Sequence, residues 1–227
     1  MALVTFTDLC IDTTDPHATA QRWGPLLGLD VTLFHDDGDA RLTGPTPGHT
    51  IWLNRVPEAR TVKQRVHLDL VADLSIFDPW QRLTEPGQFP WTVLVDDEIG
   101  EFCVFEPVGQ APAQRLKDVV IDSSDPSSIA HWWHHVLGGT LGHDEAQHYF
   151  FLDDVPGWPL ESFDFVPVPE PKRVKNRTHW DVELASGVSV DDLVADGATV
   201  LRAPDDEVRW TVMADPEGNE FCVFDDH

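Results

Sequence analysis

Two short stretches of the chain, residues 63–69 and residues 175–181, carry the same series of reactive side chains at alternate positions. Imidazole and carboxylate groups chelate metals and move protons, and cationic side chains bind anionic groups. Because alternate side chains of a β-strand share one face, each stretch predicts a strand with a charged, chelating face. The series is Lys, Arg, His and Asp in both copies: Lys63, Arg65, His67 and Asp69, then Lys175, Arg177, His179 and Asp181.

These stretches belong to a repeat that covers the whole chain. Residues 8–16 match residues 118–126 at an offset of 110 (118 − 8), and residues 91–93 match residues 210–212 at an offset of 119 (210 − 91). An offset that grows along the chain indicates loop insertions between retained elements. We therefore predict two homologous halves that are joined around residues 109–112.

The two halves, residues 1–109 and residues 113–227, show the same order of predicted elements. A strand comes first, and Asp15-Pro16 then predicts a helix start, since Asp caps helix N-termini and Pro favours the first helical position. Three strands follow. The order begins again at residues 63–69, with a second helix predicted at residues 75–85. Each half is thus two βαβββ units, four in all, which predicts an α+β fold.

The composition is strongly acidic. Asp and Glu outnumber Lys and Arg by 40 to 15, a formal charge of −25 at pH 7. Such a charge repels nucleic acid and anionic membranes, so we expect neither as a partner.

No leader pattern or bilayer-length apolar run stands out, which predicts a cytoplasmic location. The three widely spaced cysteines predict free thiols: Cys10, Cys103 and Cys222.

The four units and the motif Asp-Pro-Glu-Gly-Asn-Glu-Phe at residues 215–221 resemble the vicinal oxygen chelate superfamily. This superfamily includes glyoxalases, extradiol dioxygenases and bleomycin-resistance proteins, and the likeness to its glyoxalase-like members covers nearly the whole chain. It implies that two units form one eight-stranded, open, cup-shaped mixed sheet flanked by helices. Two such cups are implied here, and in the superfamily the concave face holds a divalent metal and a substrate.

The resemblance also implies metal-ligand positions on the first and last strands of the units. Two further positions fall near Trp52 and Phe163, whose side chains do not bind metals. The last-strand positions carry Cys where metal-dependent members have Glu, so the implied cofactor, a divalent metal (Zn, Fe, Mn or Ni), is best matched by zinc. The implied sets are Asp8, His67 and Cys103 in the first half and Asp118, His179 and Cys222 in the second.

Two functions remain open at this point, and a third interpretation makes one half a degenerate scaffold that completes the other. In the first, the protein sequesters a small aromatic or drug-like molecule in a Trp-lined cup. In the second, it is a metal-dependent lyase, isomerase or dioxygenase in which Glu101 or Glu220 is the catalytic carboxylate. The candidate ligand-binding residues are Arg65, Trp52, Trp91, Arg177, Trp180 and Trp210, with Phe105, Trp158 and Phe224 completing the wall.

Each candidate residue also has a purely structural interpretation. His67 could be a histidine tied to the neighbouring Asp69, and Lys63 or Lys175 could form ion pairs with surface carboxylates. The cysteines could be small buried apolar residues. Because one chain supplies two complete cups, we expect a monomer that mimics the usual dimer of the family.

Overall fold

The computed structural model describes residues 2–107 and residues 114–225, so the predicted linker at residues 109–112 lies outside the described residues. The described part of the chain forms sixteen strands and three α-helices. None of these helices combines the length and apolar character that crossing a bilayer needs. The strands are β1 (Val4–Thr13), β2 (Asp30–Leu33), β3 (Ala40–Thr43), β4 (Ile51–Arg55), β5 (Val66–Val71), β6 (Gln81–Arg82), β7 (Thr92–Asp96), β8 (Gly100–Phe105), β9 (Arg115–Ser123), β10 (Thr140–Asp144), β11 (Tyr149–Asp153), β12 (Ser162–Pro167), β13 (Thr178–Leu184), β14 (Thr199–Arg202), β15 (Thr211–Ala214) and β16 (Glu220–Phe224), and the helices are α1 (Pro16–Leu27), α2 (Pro126–Leu137) and α3 (Val190–Ala195).

The strands form two eight-stranded mixed sheets, and each sheet takes one unit from each half of the chain. The first sheet has the order β14-β15-β16-β13-β1-β4-β3-β2, and the second has the order β10-β11-β12-β9-β5-β8-β7-β6. At the centre of each sheet the two units meet through antiparallel strands, β1 with β13 and β5 with β9. Both sheets are open, which confirms the predicted α+β fold with two cups.

Helices α1 and α2 begin at equivalent caps, as predicted. The Asp15 carboxylate accepts a hydrogen bond from Ala18 N at 3.0 Å, and the Asp125 carboxylate accepts one from Ser128 N at 3.1 Å. Proline follows each cap, where its missing N–H costs nothing. Helix α1 ends at Gly28, whose φ of 67° lies in the left-handed region that favours glycine.

Aromatic side chains of these helices form the centre of the core, on the sheet faces that lie opposite the cups. Trp23 of α1 packs against Phe102 of the second sheet, with ring centroids 5.0 Å apart. Trp133 of α2 packs against Trp180 and Phe221 of the first sheet at 5.1 Å and 5.2 Å. Each helix packs against the strands of its own unit and also contacts the sheet to which that unit does not belong, so the two sheets share one core.

The helix predicted at residues 75–85 is wrong. Only a 3-10 turn, Leu74–Phe77, is present there, and β6 pairs with β7 at the edge of the second sheet instead. Pro79 supplies the physical reason, because proline inside a helix removes an N–H donor and clashes with the preceding turn. The corresponding place in the second half is occupied by α3.

The two repeated stretches enter their strands later than predicted. Strand β5 begins at Val66 and β13 begins at Thr178, so the Lys and Arg of each series precede the strand. Only the His and Asp of each series therefore lie within a cup-forming strand.

Candidate functional site

Strand alternation gives each central strand a core face and a cup face. On β1, Leu9 and Ile11 belong to the hydrophobic core, so Asp8 and Cys10 lie on the opposite face. The register pairs Asp8 with Asp181 of β13 on the same face. Polar groups from both halves of the chain therefore meet at the centre of the first cup.

The first-sheet group consists of Cys10, His179 and Asp181, whose potential ligand atoms lie within 4.8 Å of one another. All three residues are buried. His179 Nδ1 and Asp181 Oδ1 have no hydrogen-bond partner, and an unsatisfied buried polar atom costs about 1–3 kcal/mol. Burial lowers the pKa of His179, which favours the neutral, metal-binding imidazole, and burial raises the pKa of Asp181 to about 7.

The second-sheet group consists of His67, Asp69 and Cys103, whose potential ligand atoms also lie within 4.8 Å of one another. His67 Nδ1 lies 3.3 Å from Asp69 Oδ1, yet neither atom makes a hydrogen bond of acceptable geometry. Burial lowers the pKa of His67, but the carboxylates of Asp69 and Asp122 outweigh that effect and leave it raised. In both groups the imidazole, carboxylate and thiol set, with orphaned buried atoms, fits a divalent metal such as zinc.

The second-sheet group lies in a cavity of about 500 Å³, called here the second-sheet cavity. Its walls include Phe89, Trp91, Phe105 and Tyr149. The Phe89 and Trp91 rings are stacked with centroids 5.3 Å apart and an interplanar angle of 8°, and Trp91 lies 5.4 Å from Phe105. The cavity thus joins an aromatic wall to a polar floor, which is the usual composition of a small-molecule site.

Further carboxylates line the floor of the second-sheet cavity. Asp118 on β9 pairs with Asp69 on β5, and Asp164 on β12 pairs with Val120. Ser162 donates from its amide to Asp118 Oδ1 at 2.9 Å and from its hydroxyl to Asp164 Oδ1 at 2.6 Å. Burial and the charge of Asp118 raise the pKa of Asp164 to about 7. The floor therefore brings the carboxyl groups of Asp69, Asp118 and Asp164 together, and burial favours the protonated form of Asp164.

The lysines of the two repeated stretches form equivalent ion pairs. Lys63 Nζ lies 2.8 Å from Asp122 Oδ2, and Lys175 Nζ contacts Asp12 Oδ2. Asp12 and Asp122 are themselves repeat equivalents at an offset of 110 (122 − 12). The structure thus supplies the ion-pair partners that the structural interpretation of these lysines requires.

The two implied ligand sets are not assembled as the sequence suggested. Asp8 lies in the first sheet, whereas His67 and Cys103 lie in the second; Asp118 lies in the second sheet, whereas His179 and Cys222 lie in the first. The reason is that each sheet joins units from different halves. The residues that share a cup are Asp8, His179 and Cys222 in the first sheet and Asp118, His67 and Cys103 in the second.

The two candidate catalytic glutamates differ in availability. Glu220 is buried, and its oxygens accept hydrogen bonds from Lys172 Nζ at 2.6 Å and from Asn176 N at 3.1 Å. Glu101 lines the second-sheet cavity, with Lys63 Nζ 3.8 Å from its Oε2. Glu101 is therefore better placed than Glu220 to exchange protons with a ligand.

The tryptophans predicted to line a cup fall into two classes. Trp91 lines the second-sheet cavity, and Trp52 lies on β4 opposite Cys10 of the first sheet. Trp210 stacks on Phe224 with centroids 5.3 Å apart. Two others face the core: Trp180 is fully buried beside Trp133, and Trp158 packs against Phe6 and Phe163 at 4.6 Å and 5.0 Å.

The expectation that Trp180 contacts a ligand is therefore wrong. His179 points into the cup, so alternation turns Trp180 to the other side of the sheet.

The arginines of the two stretches are held by backbone carbonyls. Arg177 is buried and donates to the carbonyls of Asp12, at 3.1 Å, and Glu58. Arg65 donates to the carbonyl of Glu170 at 2.6 Å. Neither arginine is among the residues that line the second-sheet cavity.

Four residues of the site escaped the sequence prediction of ligands. Cys10 follows the predicted Asp8 by two positions on the same face, so alternation alone could have identified it. Asp69 and Asp181 follow His67 and His179 in the same way. Asp164 was missed because the implied position was counted to Phe163, whose side chain is fully buried in the core.

Two open eight-stranded sheets, each built from two units of the repeat, form the architecture that the resemblance to the vicinal oxygen chelate superfamily implied. The chain belongs to the glyoxalase-like domain family, whose model matches residues 8–105 and residues 118–224. The two matched segments correspond to the two halves of the repeat.

Solved structures share this fold at low sequence identity. Glyoxalase I from Zea mays is 13% identical, with a TM-score of 0.71 over 98% of this chain and 92% of that chain. A Bacillus subtilis protein proposed to be a dioxygenase is 14% identical, with a TM-score of 0.65 over 99% of this chain and 86% of that chain. No curated protein sequence matches the chain. These identities establish a common fold and leave the chemistry to the residues of the site.

Proposed function

We propose that this protein binds a small organic molecule with a planar apolar part in the second-sheet cavity. The observation that carries the proposal is the aromatic wall of Phe89, Trp91, Phe105 and Tyr149 above a polar floor, in a cavity of about 500 Å³. Small-molecule sites commonly have volumes of about 300–1,000 Å³ and combine apolar walls with a few oriented polar groups.

The aromatic wall is already arranged for stacking. Phe89 and Trp91 lie nearly parallel, and Phe89 keeps 44% of its surface exposed. An exposed, stacked pair offers a flat apolar surface at little cost in side-chain entropy, since the rings are fixed before the ligand arrives. A planar ligand would extend this stack and shield the exposed ring from water.

A fluorescence titration tests this proposal directly. We expect 2-(1-naphthyl)ethanol, a neutral planar probe, to quench the tryptophan emission of the full-length protein. The Trp91→Leu variant should lose most of the quenching. Trp210→Leu is the control, because Trp210 is the repeat counterpart in the first sheet and should leave binding unchanged. Binding that survives Trp91→Leu but is lost in Trp210→Leu would contradict the proposal.

A second candidate function is metal-dependent catalysis at the same cavity, favoured by the second-sheet group. His67, Asp69 and Cys103 would hold the metal, and a bound divalent cation would polarise oxygen atoms of the ligand. Glu101 would hold or accept a proton at its carboxylate. The glyoxalase I and dioxygenase relatives in fold support this candidate at the level of the family.

Metal analysis separates the two candidates. Catalysis in the second cup would be supported by one zinc ion per chain in the purified protein and by a zinc content that decreases in His67→Ala but not in His179→Ala. Ligand binding that persists after treatment with a chelator would support the binding function.

We also propose that the protein acts as a monomer, because one chain supplies both complete sheets. Light scattering should give the monomer mass over a wide range of concentration. A stable dimer at low concentration would contradict this.

A further inference from the structure

Carboxylates outnumber lysines among the side chains that line the second-sheet cavity. Its lining contains four carboxylates and two lysines, in addition to His67. Charges in a concave, partly desolvated site act more strongly than the same charges on an open surface. The carboxylates are Asp69, Glu101, Asp118 and Asp164, and the lysines are Lys63 and Lys117.

The two lysines of the cavity are already engaged by carboxylates. Lys63 Nζ lies 2.8 Å from Asp122, and Lys117 Nζ contacts Asp118. An anionic ligand would have to share a lysine with the carboxylate that already contacts it, and it would also face the remaining carboxylates. The cavity therefore disfavours an anion.

Asp69 retains binding capacity that the protein does not use. The residue is 6% exposed, it lines the cavity, and its Oδ1 accepts no hydrogen bond. An ionised carboxylate accepts up to about four hydrogen bonds, and leaving a buried oxygen unpaired is costly. A ligand that donates a charged N–H group to this oxygen would remove that cost.

The protein provides its own example of the chemistry that the cavity accommodates. The Lys117 ammonium lies 5.1 Å from the centre of the Phe105 ring while it contacts Asp118. An alkylammonium group is thus held between an aromatic face and a carboxylate on one side of the cavity. Trp91 and Asp69 offer the same pair of surfaces elsewhere in the cavity, where His67 Nδ1 lies 3.3 Å from Asp69 Oδ1 without donating a hydrogen bond to it.

We propose that the ligand of the second-sheet cavity is an organic cation, an amine or amidine carried on a planar apolar group. The charged nitrogen donates to Asp69, and the planar part stacks on Trp91. This inference rests on the proposed binding function and specifies the class of its ligand.

Three probes of nearly equal shape test the inference: 2-(1-naphthyl)ethylamine, 2-(1-naphthyl)ethanol and 3-(1-naphthyl)propionate. Calorimetric titration of the full-length protein in the presence of a chelator should show the amine binding at least about tenfold more tightly than the alcohol, and the carboxylate binding most weakly. Asp69→Asn should remove the advantage of the amine and leave the alcohol unchanged. Asp181→Asn, the equivalent change in the first sheet, should leave all three affinities unchanged.

The possible outcomes are distinct. Equal binding of amine and alcohol, or a preference for the carboxylate, would overturn the cation inference while the binding function stands. Binding of none of the probes would overturn both. Amine binding that requires added zinc and disappears with the chelator would also overturn the inference, because the metal and not Asp69 would then hold the nitrogen. If Asp69→Asn unfolds, Asp164→Asn should reduce the amine preference in its place, and an unchanged preference would overturn the inference.

Discussion

Asp8 on β1 and Asp181 on β13 lie directly opposite each other at the centre of the first sheet. Asp69 and Asp118 occupy the equivalent cross-strand pair in the second sheet. Like charges that face each other across a pair of strands destabilise a sheet. Both cups therefore carry an electrostatic cost at the place where the fold family positions its ligands, as expected where function outweighs stability.

This cost predicts the effect of pH on stability. Burial raises the pKa of Asp181 to about 7. The folded state thus holds this proton more tightly than the unfolded chain does, and the stabilisation, complete below about pH 4, is lost as the pH rises to about 7. We expect Asp181→Asn to raise the melting temperature at about pH 8 and to raise it less at about pH 5. Asp206→Asn, at an exposed position, is the control, and an equal effect of Asp181→Asn at both pH values would contradict the prediction.

Asp164 predicts a pH dependence of amine binding. Its pKa is raised to about 7, and a nearby cation favours its ionised form. The affinity for 2-(1-naphthyl)ethylamine should therefore increase as the pH rises through about 7, whereas that for the alcohol should not. Asp164→Asn should flatten the increase, and a calorimetric titration over pH would measure it. An equally steep increase in the variant would contradict the assignment. The other groups that face or act on Asp164 are Asp69, Lys117, Asp118, Tyr149 and Ser162.

Zinc should stabilise the protein through the first-sheet group. A ligand that binds only the folded state raises the melting temperature. The Cys10→Val variant removes one donor, and it should fold, because Val120 occupies the equivalent position opposite His67 in the second sheet. We expect a smaller zinc-induced rise in Cys10→Val than in the wild type, measured by differential scanning fluorimetry. An undiminished rise would exclude Cys10 as a ligand.

Trp133 should be a major determinant of stability. It is fully buried and contacts the rings of Phe163, Trp180 and Phe221. Trp133→Ala should lower the free energy of unfolding by about 3–5 kcal/mol, because it leaves a cavity in a core shared by both sheets. Phe89→Ala, at a half-exposed position, should cost less than about 1 kcal/mol. Urea unfolding would measure both, and similar losses would contradict the shared core.

Local features of the fold could be predicted from the sequence, whereas the pairing of units could not. Alternation predicted the strands and their cup faces, and Asp15-Pro16 predicted the helix start. The repeat, however, is equally compatible with sheets formed within a half or between halves, because strand pairing depends on contacts between residues far apart in sequence. The ligand sets were misassembled for that reason.

Other errors of prediction had local signals. Pro79 argued against a helix at residues 75–85, and the position of Trp180 next to His179 argued against a cup-facing ring. The orphaned oxygen of Asp69 had no such signal, because it depends on the exact angle between two neighbouring side chains.

The pairing of units across the halves also fixes the order in which the protein can be completed during synthesis. Strands β5 to β12 are contiguous in the chain, so the second sheet can form as soon as they leave the ribosome. Strand β1 is made before them, yet its partner β13 begins 165 residues after β1 ends (178 − 13). Until then β1 presents an unpaired edge. Assembly of the first sheet is therefore the step of folding most exposed to aggregation and most dependent on chaperones.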